Sequence, residues 1–493
     1  MARGAGKRAF GVCSRHAVQA NVRKRRTPEG SKRVQANMTH QRNRVRVPTR
    51  LAVPADSGRK LTHYLFKYPA KFHPPIANLL IQKYSKPGDT VLDPFCGSGS
   101  LLVEAAVAGR TAIGTDIDPV AVFVSRVKTQ RRSHTALSRS ADLILFCLGE
   151  LARPDSEYAR RQFDDIQPAT ADRVIRGESL PVPSIPNIDH WFRQYVIVDL
   201  GRILRTIEST PIPASHRDFF RLCFGSIIRA SSNADPVPVS GLEVTAHMKR
   251  KDAAGRVINP FALFAQSVHR GLTAVKEYSQ YAKRQSSSRV LRADATELAS
   301  RLRVRVDAII TSPPYNVAVD YYRRHQLEMF WLGLTKTHNE RLKLLPCYIG
   351  RGKVAQSHPF VSEGVLRTPL VKTWERTIRA VSPERADAFK HYAVAMARSF
   401  REMTRLLKPD GKAVLIVGKS SWNGKVIPTG NLLVELAGKK LELVEHLWYP
   451  VSNRYMSYSR HNGASIDREY VLVFRRARSK SRSALRAQLL CAG

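Results

Sequence analysis

Cysteine is scarce in this 493-residue chain, with six residues (Cys13, Cys96, Cys147, Cys223, Cys347 and Cys491) and no CxxC pair. That scatter argues against a disulfide scaffold and a paired-cysteine zinc site, and it fits a reducing, cytoplasmic setting. Long apolar runs are missing as well. The longest candidates, such as Leu143–Leu148, fall far short of the ~18 residues of a membrane span, so no membrane partner is expected. The basic first residues are not followed by an apolar segment and a small-residue cleavage site, which speaks against a secretory signal. Acidic residues are few, 40 Asp+Glu against 81 Lys+Arg, for a net charge of +41. There is no internal repeat. What is present is an apolar content of 43%, enough to exclude a wholly disordered chain. At roughly 150 residues per domain, the length implies two or three domains.

The charge is unevenly spread. Residues 1–60 hold 16 Lys+Arg and two acids, Glu29 and Asp56, and residues 475–493 add six basic residues and no acid. We read 1–60 as a basic, flexible N-terminal arm and 476–493 as a basic tail. A tail of this kind can be only a solubilising extension. The body between them, however, still carries +21, which points to a polyanionic partner, most simply nucleic acid, bound with strong salt dependence.

From Leu61 the pattern becomes that of an α/β domain. Pro74 and Pro75 open an amphipathic helix beginning Ile76-Ala77-Asn78-Leu79-Leu80-Ile81. Thr90-Val91-Leu92 reads as a buried strand, Leu101–Ala106 as a helix, and Thr111–Thr115 as a second strand ended by Asp116. This βαβ unit implies a parallel sheet. The rhythm then breaks over 129–288, a stretch of mostly polar, helix-like segments with proline-bearing loops. It resumes with strands at 290–294 and 306–310, a helix near Tyr392 to Leu407, a turn at Lys408–Gly411 and a strand at Ala413–Val417. Closing strands are expected at Glu442–Tyr449 and Tyr470–Phe474. The sheet domain therefore covers 61–128 and 289–475, and 129–288 is an insertion.

Two loops carry chemistry. Asp93-Pro94-Phe95-Cys96-Gly97-Ser98-Gly99-Ser100 joins a strand to a helix, where glycines admit a ligand close to the backbone and the helix N-terminus favours an anionic group. A dinucleotide fingerprint needs a third glycine three positions after Gly99, and that residue is Leu102. Asp116, at the end of the next strand, suits two ribose hydroxyls, and Asp93 suits an ammonium group. A ribose with an amino-acid end and no phosphate describes S-adenosylmethionine; the alternative is an ordinary glycine-rich turn. The second loop, Thr311-Ser312-Pro313-Pro314-Tyr315, follows the buried strand at 306–310, and its prolines make a rigid turn. Ser312 and the Pro313 carbonyl can accept the two N–H groups of an exocyclic amine while Tyr315 stacks on the ring. Alone, Pro-Pro-Tyr also marks recognition peptides.

Together these segments resemble the S-adenosylmethionine-dependent DNA methyltransferases that modify exocyclic amino groups. Tyr68-Pro69-Ala70-Lys71-Phe72 with His73-Pro74 is similar to the family's segment closing over the methionine end of the cofactor. Asp93 to Ser100 is similar to its cofactor loop, and Ser312 to Tyr315 to its catalytic tetrapeptide. The resemblance implies that Lys71, Phe72, Asp93, Pro94, Phe95, Gly97, Gly99 and Asp116 bind S-adenosylmethionine. It places Asp294, ending the third strand, at the adenine amine. It also implies a Rossmann-like class I methyltransferase sheet, with helices on both faces and an antiparallel strand near one edge, acting on double-stranded DNA. The helical insertion becomes the candidate target-recognition region. Within the family, Ser before Pro-Pro-Tyr goes more often with N4 of cytosine, and Asp or Asn with N6 of adenine. A cognate restriction endonuclease and the oligomeric state are left open by the resemblance.

Other readings are an N6-adenine DNA enzyme, an RNA amino-methyltransferase, and a non-catalytic nucleic-acid-binding protein. Residues 1–60 are too short and polar for the N-terminal RNA-binding domain of the RNA enzymes. Val417-Gly418-Lys419-Ser420 mimics the end of a phosphate loop, but the earlier glycine that loop needs is Ala413. No carboxylate cluster accompanies His63 and His73, so no metal is expected. Tyr321-Tyr322-Arg323-Arg324-His325 can be read either as a phosphate-tracking run or as an ordinary helix surface.

Overall fold

The computed structural model describes residues 47–55, 58–236, 241–316, 320–362, 366, 368–451 and 467–477. Most of the expected basic arm, and the tail beyond 477, lie outside the described residues. Two arm residues do not belong to an arm: Thr49–Arg50 form strand β1, and the Leu51 amide donates to the Trp448 carbonyl at 2.7 Å.

The first βαβ unit follows the local signals. Helix α1 (Pro74–Tyr84) has proline in its first turn and buries Ile76, Ala77, Leu80 and Ile81, one face of a 3.6-residue period. Then come β2 (Thr90–Asp93), α2 (Ser100–Val107), β3 (Thr111–Asp116) and α3 (Pro119–Thr129). Asp118 caps α3 by accepting from the Val120 amide at 2.8 Å, with Pro119 at the first helical position.

Among the described residues, eight helices fall between β3 and β4 after α3. The longest are α4 (His134–Gly149), α5 (Gln194–Ser209), α6 (Ala214–Ser231) and α7 (Pro260–Tyr281). The expectation of a mostly polar insertion is corrected here, because these helices enclose the largest apolar cluster among the described residues. Phe192, Phe219, Phe220, Phe224 and Phe264 are each under 2% exposed. Their helices carry polar outer faces that dilute the average, so the apolar stripe is hidden in a linear reading. Trp331, Leu327 and Phe330, from just beyond the Ser312–Tyr315 loop, share that cluster.

The sheet resumes with β4 (Ser288–Arg292) and β5 (Val306–Thr311). Helix α8 (Pro383–Leu406) begins nine residues before the expected start; Ser382 caps it by accepting from the Arg385 amide, and Pro383 opens its first turn. The expected turn at 408–411 lies inside β6 (Leu407–Val417) as an irregularity, since Val306 pairs with Leu407 and Ala308 with Lys412. Helix α9 (Thr429–Ala437), β7 (Leu441–Pro450) and β8 (Arg468–Arg476) complete the order.

Among the described residues, eight strands form one sheet in the order β1-β7-β8-β6-β5-β2-β3-β4, and Ser420–Trp422 with Lys425–Ile427 make a separate hairpin. Within the large sheet β8 runs antiparallel to both neighbours, and every other pairing is parallel. Period-two alternation gives the sheet two buried faces. Val91, Ala308, Ile310, Val414 and Val471 pack with α1 and α2, whereas Leu92, Ile309, Leu415, Leu472 and Phe474 pack with α8 and α9. Strand order reverses at β2, with β3 on one side and β5 on the other. The crevice of such a sheet opens at the carboxyl ends of those strands. No described helix is long and apolar enough to cross a membrane.

Candidate active site

Asp93 ends β2 and is 2% exposed. Its Oδ1 accepts from the Phe95 amide at 3.2 Å and from the Thr311 hydroxyl at 2.6 Å. Thr311 ends β5, so this bond joins two neighbouring strand ends and sets the glycine loop beside Ser312–Tyr315. Thr311 opens the second loop in the sequence reading without a role of its own, and its bond to Asp93 supplies one. Burial pushes the Asp93 carboxyl up to about 7, against the two donors that favour its charge.

Asp116 ends β3 and is tied to the same loop, its Oδ2 accepting from the Gly97 amide at 2.9 Å and its Oδ1 from the Asp118 amide at 3.0 Å. Burial first, and then the Asp118 charge, raise it to about 6. Gly97 and Gly99 both have positive φ, +49° and +72°. At Gly99 a Cβ would meet Ser125 Oγ at 2.8 Å and Ser125 Cα at 3.1 Å, so this glycine serves the packing of α3 as well as ligand approach. Helix α3 grips the loop twice: Ser125 Oγ donates to the Gly97 carbonyl at 2.7 Å, and the fully buried Lys128 Nζ donates to the Ser98 carbonyl at 2.6 Å. Pro94 is buried and its carbonyl accepts from the Thr115 hydroxyl at 3.3 Å. Half-buried Phe95 packs against the same cluster as Tyr315.

The segment before α1 is divided. Lys71 Nζ lies 3.8 Å from the centre of the Tyr64 ring and reaches the His63 carbonyl at 3.4 Å; burial lowers it to about 8. Phe72 packs against the α1 and α2 cluster. It is Tyr68, absent from our residue set, that lies on the glycine loop, its ring 3.4 Å from where a Gly97 Cβ would stand. Tyr68 stacks on Tyr321 at 5.7 Å and meets the His325 ring at a tilt, 4.8 Å away. His325 Nδ1 is 2.7 Å from Asp118 Oδ2. The Tyr321–His325 run is therefore no phosphate-tracking surface: Tyr322, Arg324 and His325 are buried, and only Arg323 is exposed.

Asp294 does not end its strand, which stops at Arg292. The Ala293 amide donates to the Asp116 carbonyl at 3.1 Å, which keeps Asp294 beside the crevice. Its Oδ1 accepts from the Thr296 amide and hydroxyl, each at 2.8 Å. His63 is a polar partner, its Nε2 2.8 Å from Glu104 Oε1, and the described residues hold no group of three side chains suited to a metal.

In the second loop Pro313 is buried, and Ser312 and Tyr315 are half-buried. The Tyr315 phenol donates to Glu469 Oε1 at 3.1 Å. Glu469 lies on β8 directly opposite Tyr449, whose phenol donates to the other carboxylate oxygen. Burial, and then the Glu469 charge, hold the Tyr315 phenol well above its ordinary value.

Asp93 and Asp116 are raised with no lysine or arginine among the groups that act on them. A buried carboxylate pair of this kind is a receptor for a cation and for hydroxyl donors. S-adenosylmethionine, with its sulfonium, ammonium and ribose, meets that demand.

The family model for N6/N4 DNA methylases matches residues 19–125 and 306–489, more than half of the chain. The chain belongs to this family. It is an S-adenosylmethionine-dependent DNA methyltransferase of the exocyclic-amino type. The type II methyltransferase M.MvaI of Kocuria varians is 25% identical over 403 residues, covering 77% of this chain and 82% of the relative. M.BsoBI of Geobacillus stearothermophilus is 22% identical over 423 residues, 76% of this chain and 77% of the relative. A tRNA (guanine(10)-N2)-dimethyltransferase of Methanothermobacter thermautotrophicus is 43% identical over 54 residues, only 11% of this chain and 16% of that one.

Proposed function

We propose that this methyltransferase modifies N4 of cytosine in double-stranded DNA, at a base turned out of the helix into the crevice between β2 and β5. The observation that carries this reading is the 2.6 Å bond between Thr311 and Asp93, which brings the cofactor loop and Ser312 to one sheet edge. Serine before Pro-Pro-Tyr favours cytosine over adenine.

When bound, S-adenosylmethionine supplies an electrophilic methyl group on its sulfonium. Asp93 holds the ammonium end, Asp116 accepts from the ribose hydroxyls, and Asp294 lies at the adenine, with Gly97 and Gly99 admitting the ligand to the backbone. Lys71, Phe72, Pro94 and Phe95 shape the methionine side. The amine of cytosine is a poor nucleophile because its lone pair is delocalised into the ring. Ser312 Oγ and the Pro313 carbonyl accept its two hydrogens, draw the nitrogen toward tetrahedral geometry and free the lone pair for in-line attack. Pro314 keeps the turn rigid. Turning the base out costs a few kcal/mol, and stacking on Tyr315 offsets about 1–3 kcal/mol of it. Residues 129–288 are the proposed target-recognition region. The type II relatives support a role beside a cognate restriction endonuclease.

Purified protein should transfer labelled methyl to duplex DNA, and chromatography of the nucleosides should show N4-methylcytosine. Ser312→Ala should lower the rate at least tenfold. Label in N6-methyladenine would overturn the choice of base, and methylation of RNA but not DNA would overturn the substrate.

A further inference from the structure

A short hairpin stands beside the crevice and takes no part in the chemistry described above. Strand β6 lies between β5 and β8, and its last residue, Val417, pairs with Tyr470 of β8. Tyr315, just beyond β5, reaches Glu469 of β8 at 3.1 Å, so its side chain crosses the end of β6. The hairpin leaves from that same end, with Ser420–Trp422 antiparallel to Lys425–Ile427. Its root is fixed: Lys419 Nζ lies 3.0 Å from Asp467 Oδ1, and the Ser420 amide donates to Thr429 Oγ1 at 3.2 Å. Its turn is tight, with φ of +43° at Asn423 and +74° at Gly424, the left-handed pair whose twist matches the strands it joins. Ladder partners share a face. Ser420 and Ile427 are buried, and Trp422 packs against the cluster that also takes Tyr315, so their face looks inward. Val426 belongs to the other face and is 58% exposed, next to the exposed Lys425.

We propose that this hairpin is a DNA-inserting finger. As the target base turns into the crevice, the finger enters the duplex at the vacated step, with Val426 against the unstacked neighbours and Lys425 on a flanking phosphate. The inference rests on the reading of this protein as an enzyme that acts on an extruded base. Extrusion leaves a hole whose neighbouring bases have lost stacking contact, and an apolar side chain on a stiff support replaces part of that contact. The major groove of B-DNA admits a two-stranded ribbon. Stiffness matters because a loose loop would lose conformational freedom on entering the duplex. Here the buried inner face, the Lys419–Asp467 pair and the Asn423-Gly424 turn hold the ribbon in shape beforehand. The charge is suited to phosphates, with 81 Lys+Arg against 40 acids in the chain. A single exposed valine is commonplace on a protein surface. Val426 differs in standing on a braced ribbon that shares the end of β6 with Tyr315, the residue proposed to stack on the base.

The test is single-turnover methyl transfer by the full-length enzyme with tritiated S-adenosylmethionine, on two synthetic duplexes carrying the site that sequencing of methylated plasmid locates. In one the target base is paired; in the other it faces an abasic position and is already loose. Val426→Ser should slow transfer to the paired duplex by about fivefold or more, and leave the other duplex within about twofold of the parent. Its Kd for the cofactor should not change. Lys425→Ala should weaken binding to unrelated duplexes alike and lower the slope of log Kd against log salt by about one. The finger is overturned if Val426→Ser methylates the paired duplex at the parent rate, or if both duplexes slow equally, which marks a general structural loss. Should the thermal midpoint of Val426→Ser fall, Lys425→Ala decides alone, and an unmoved salt slope removes the finger. A parent enzyme that binds the two duplexes equally would instead count against extrusion of the base, the reading on which the finger rests.

Discussion

The two loops that frame the crevice are built on opposite principles. The loop after β2 is held by residues close to it in the chain: Gly97 by Asp116 and Ser125, Ser98 by Lys128, and Phe95 by Asp93. The loop after β5 is stiff by composition, and its side chains are held from far away, Thr311 by Asp93 and Tyr315 by Glu469. A local loop can be perturbed by one added methyl group; a cross-braced loop fails when a distant partner is removed.

Gly99→Ala should produce the largest effect. The new Cβ would adopt φ +72° and stand 2.8 Å from Ser125 Oγ and 3.1 Å from backbone Cα. Left-handed strain of about 1–2 kcal/mol adds to overpacking of about 1–3 kcal/mol. Taken from the cofactor site, this should weaken S-adenosylmethionine binding by about a hundredfold in calorimetry. Gly97→Ala faces only the Tyr68 ring at 3.4 Å and should lose distinctly less. Equal losses at both positions would mean that the packing of α3 does not set the shape of the loop.

Thr311→Val comes next and tests the bridge between the loops. It removes the hydroxyl without changing shape and leaves the buried Asp93 Oδ1 with the longer Phe95 amide bond alone, a loss of about 1–3 kcal/mol. The thermal midpoint should fall accordingly. The Asp93 carboxyl should also titrate higher, because the Thr311 donor now favours its charged form.

These contrasts mirror what was legible in the sequence. The β2 loop could be read because its signals are local: glycines at fixed positions and an acid ending each strand. The alternation of Val91 and Leu92, or of Ile309 and Ile310, gave the strands and both sheet faces. The stripe of Met396, Phe400 and Met403 marked the core of α8, but its start was missed because Ser382-Pro383-Glu384 lies more than three turns before the stripe. Glu469, and the part Thr311 plays, were missed for a deeper reason. Each matters through a partner more than 150 residues away, and no one-dimensional spacing encodes which strand comes to lie beside which. The insertion misled in a third way, because Phe219, Phe220 and Phe224 are interleaved with the charged Arg217, Asp218 and Arg221, which hide the apolar face in a linear reading.

The smallest effect expected is that of pH, and it separates the two loops again. Asp93 titrates near 7 in the folded protein and near 3.8 unfolded, and burial is the main cause. The folded state therefore binds this proton more tightly. That contribution to stability is fully present below about pH 4 and is lost as pH rises through 7. Asp116, raised to about 6, works in the same direction. Cofactor binding needs the opposite protonation state, because only ionised Asp93 attracts an ammonium group. From pH 6 to 8 the cofactor-free protein should melt at progressively lower temperature, while its affinity for S-adenosylmethionine rises by about tenfold, the change in the ionised fraction of a group with a pKa near 7. Calorimetry in two buffers of different ionisation enthalpy should show a proton released on binding at pH 6 and almost none at pH 8. Mutations in the β5 loop beyond Thr311, Tyr315→Phe included, should leave this binding profile unmoved, because the titrating carboxylates belong to the other loop and the other strand. A profile that flattens in Tyr315→Phe would mean that the two loops titrate as one unit, and the division between a local and a cross-braced loop would then fail at its ionisable groups.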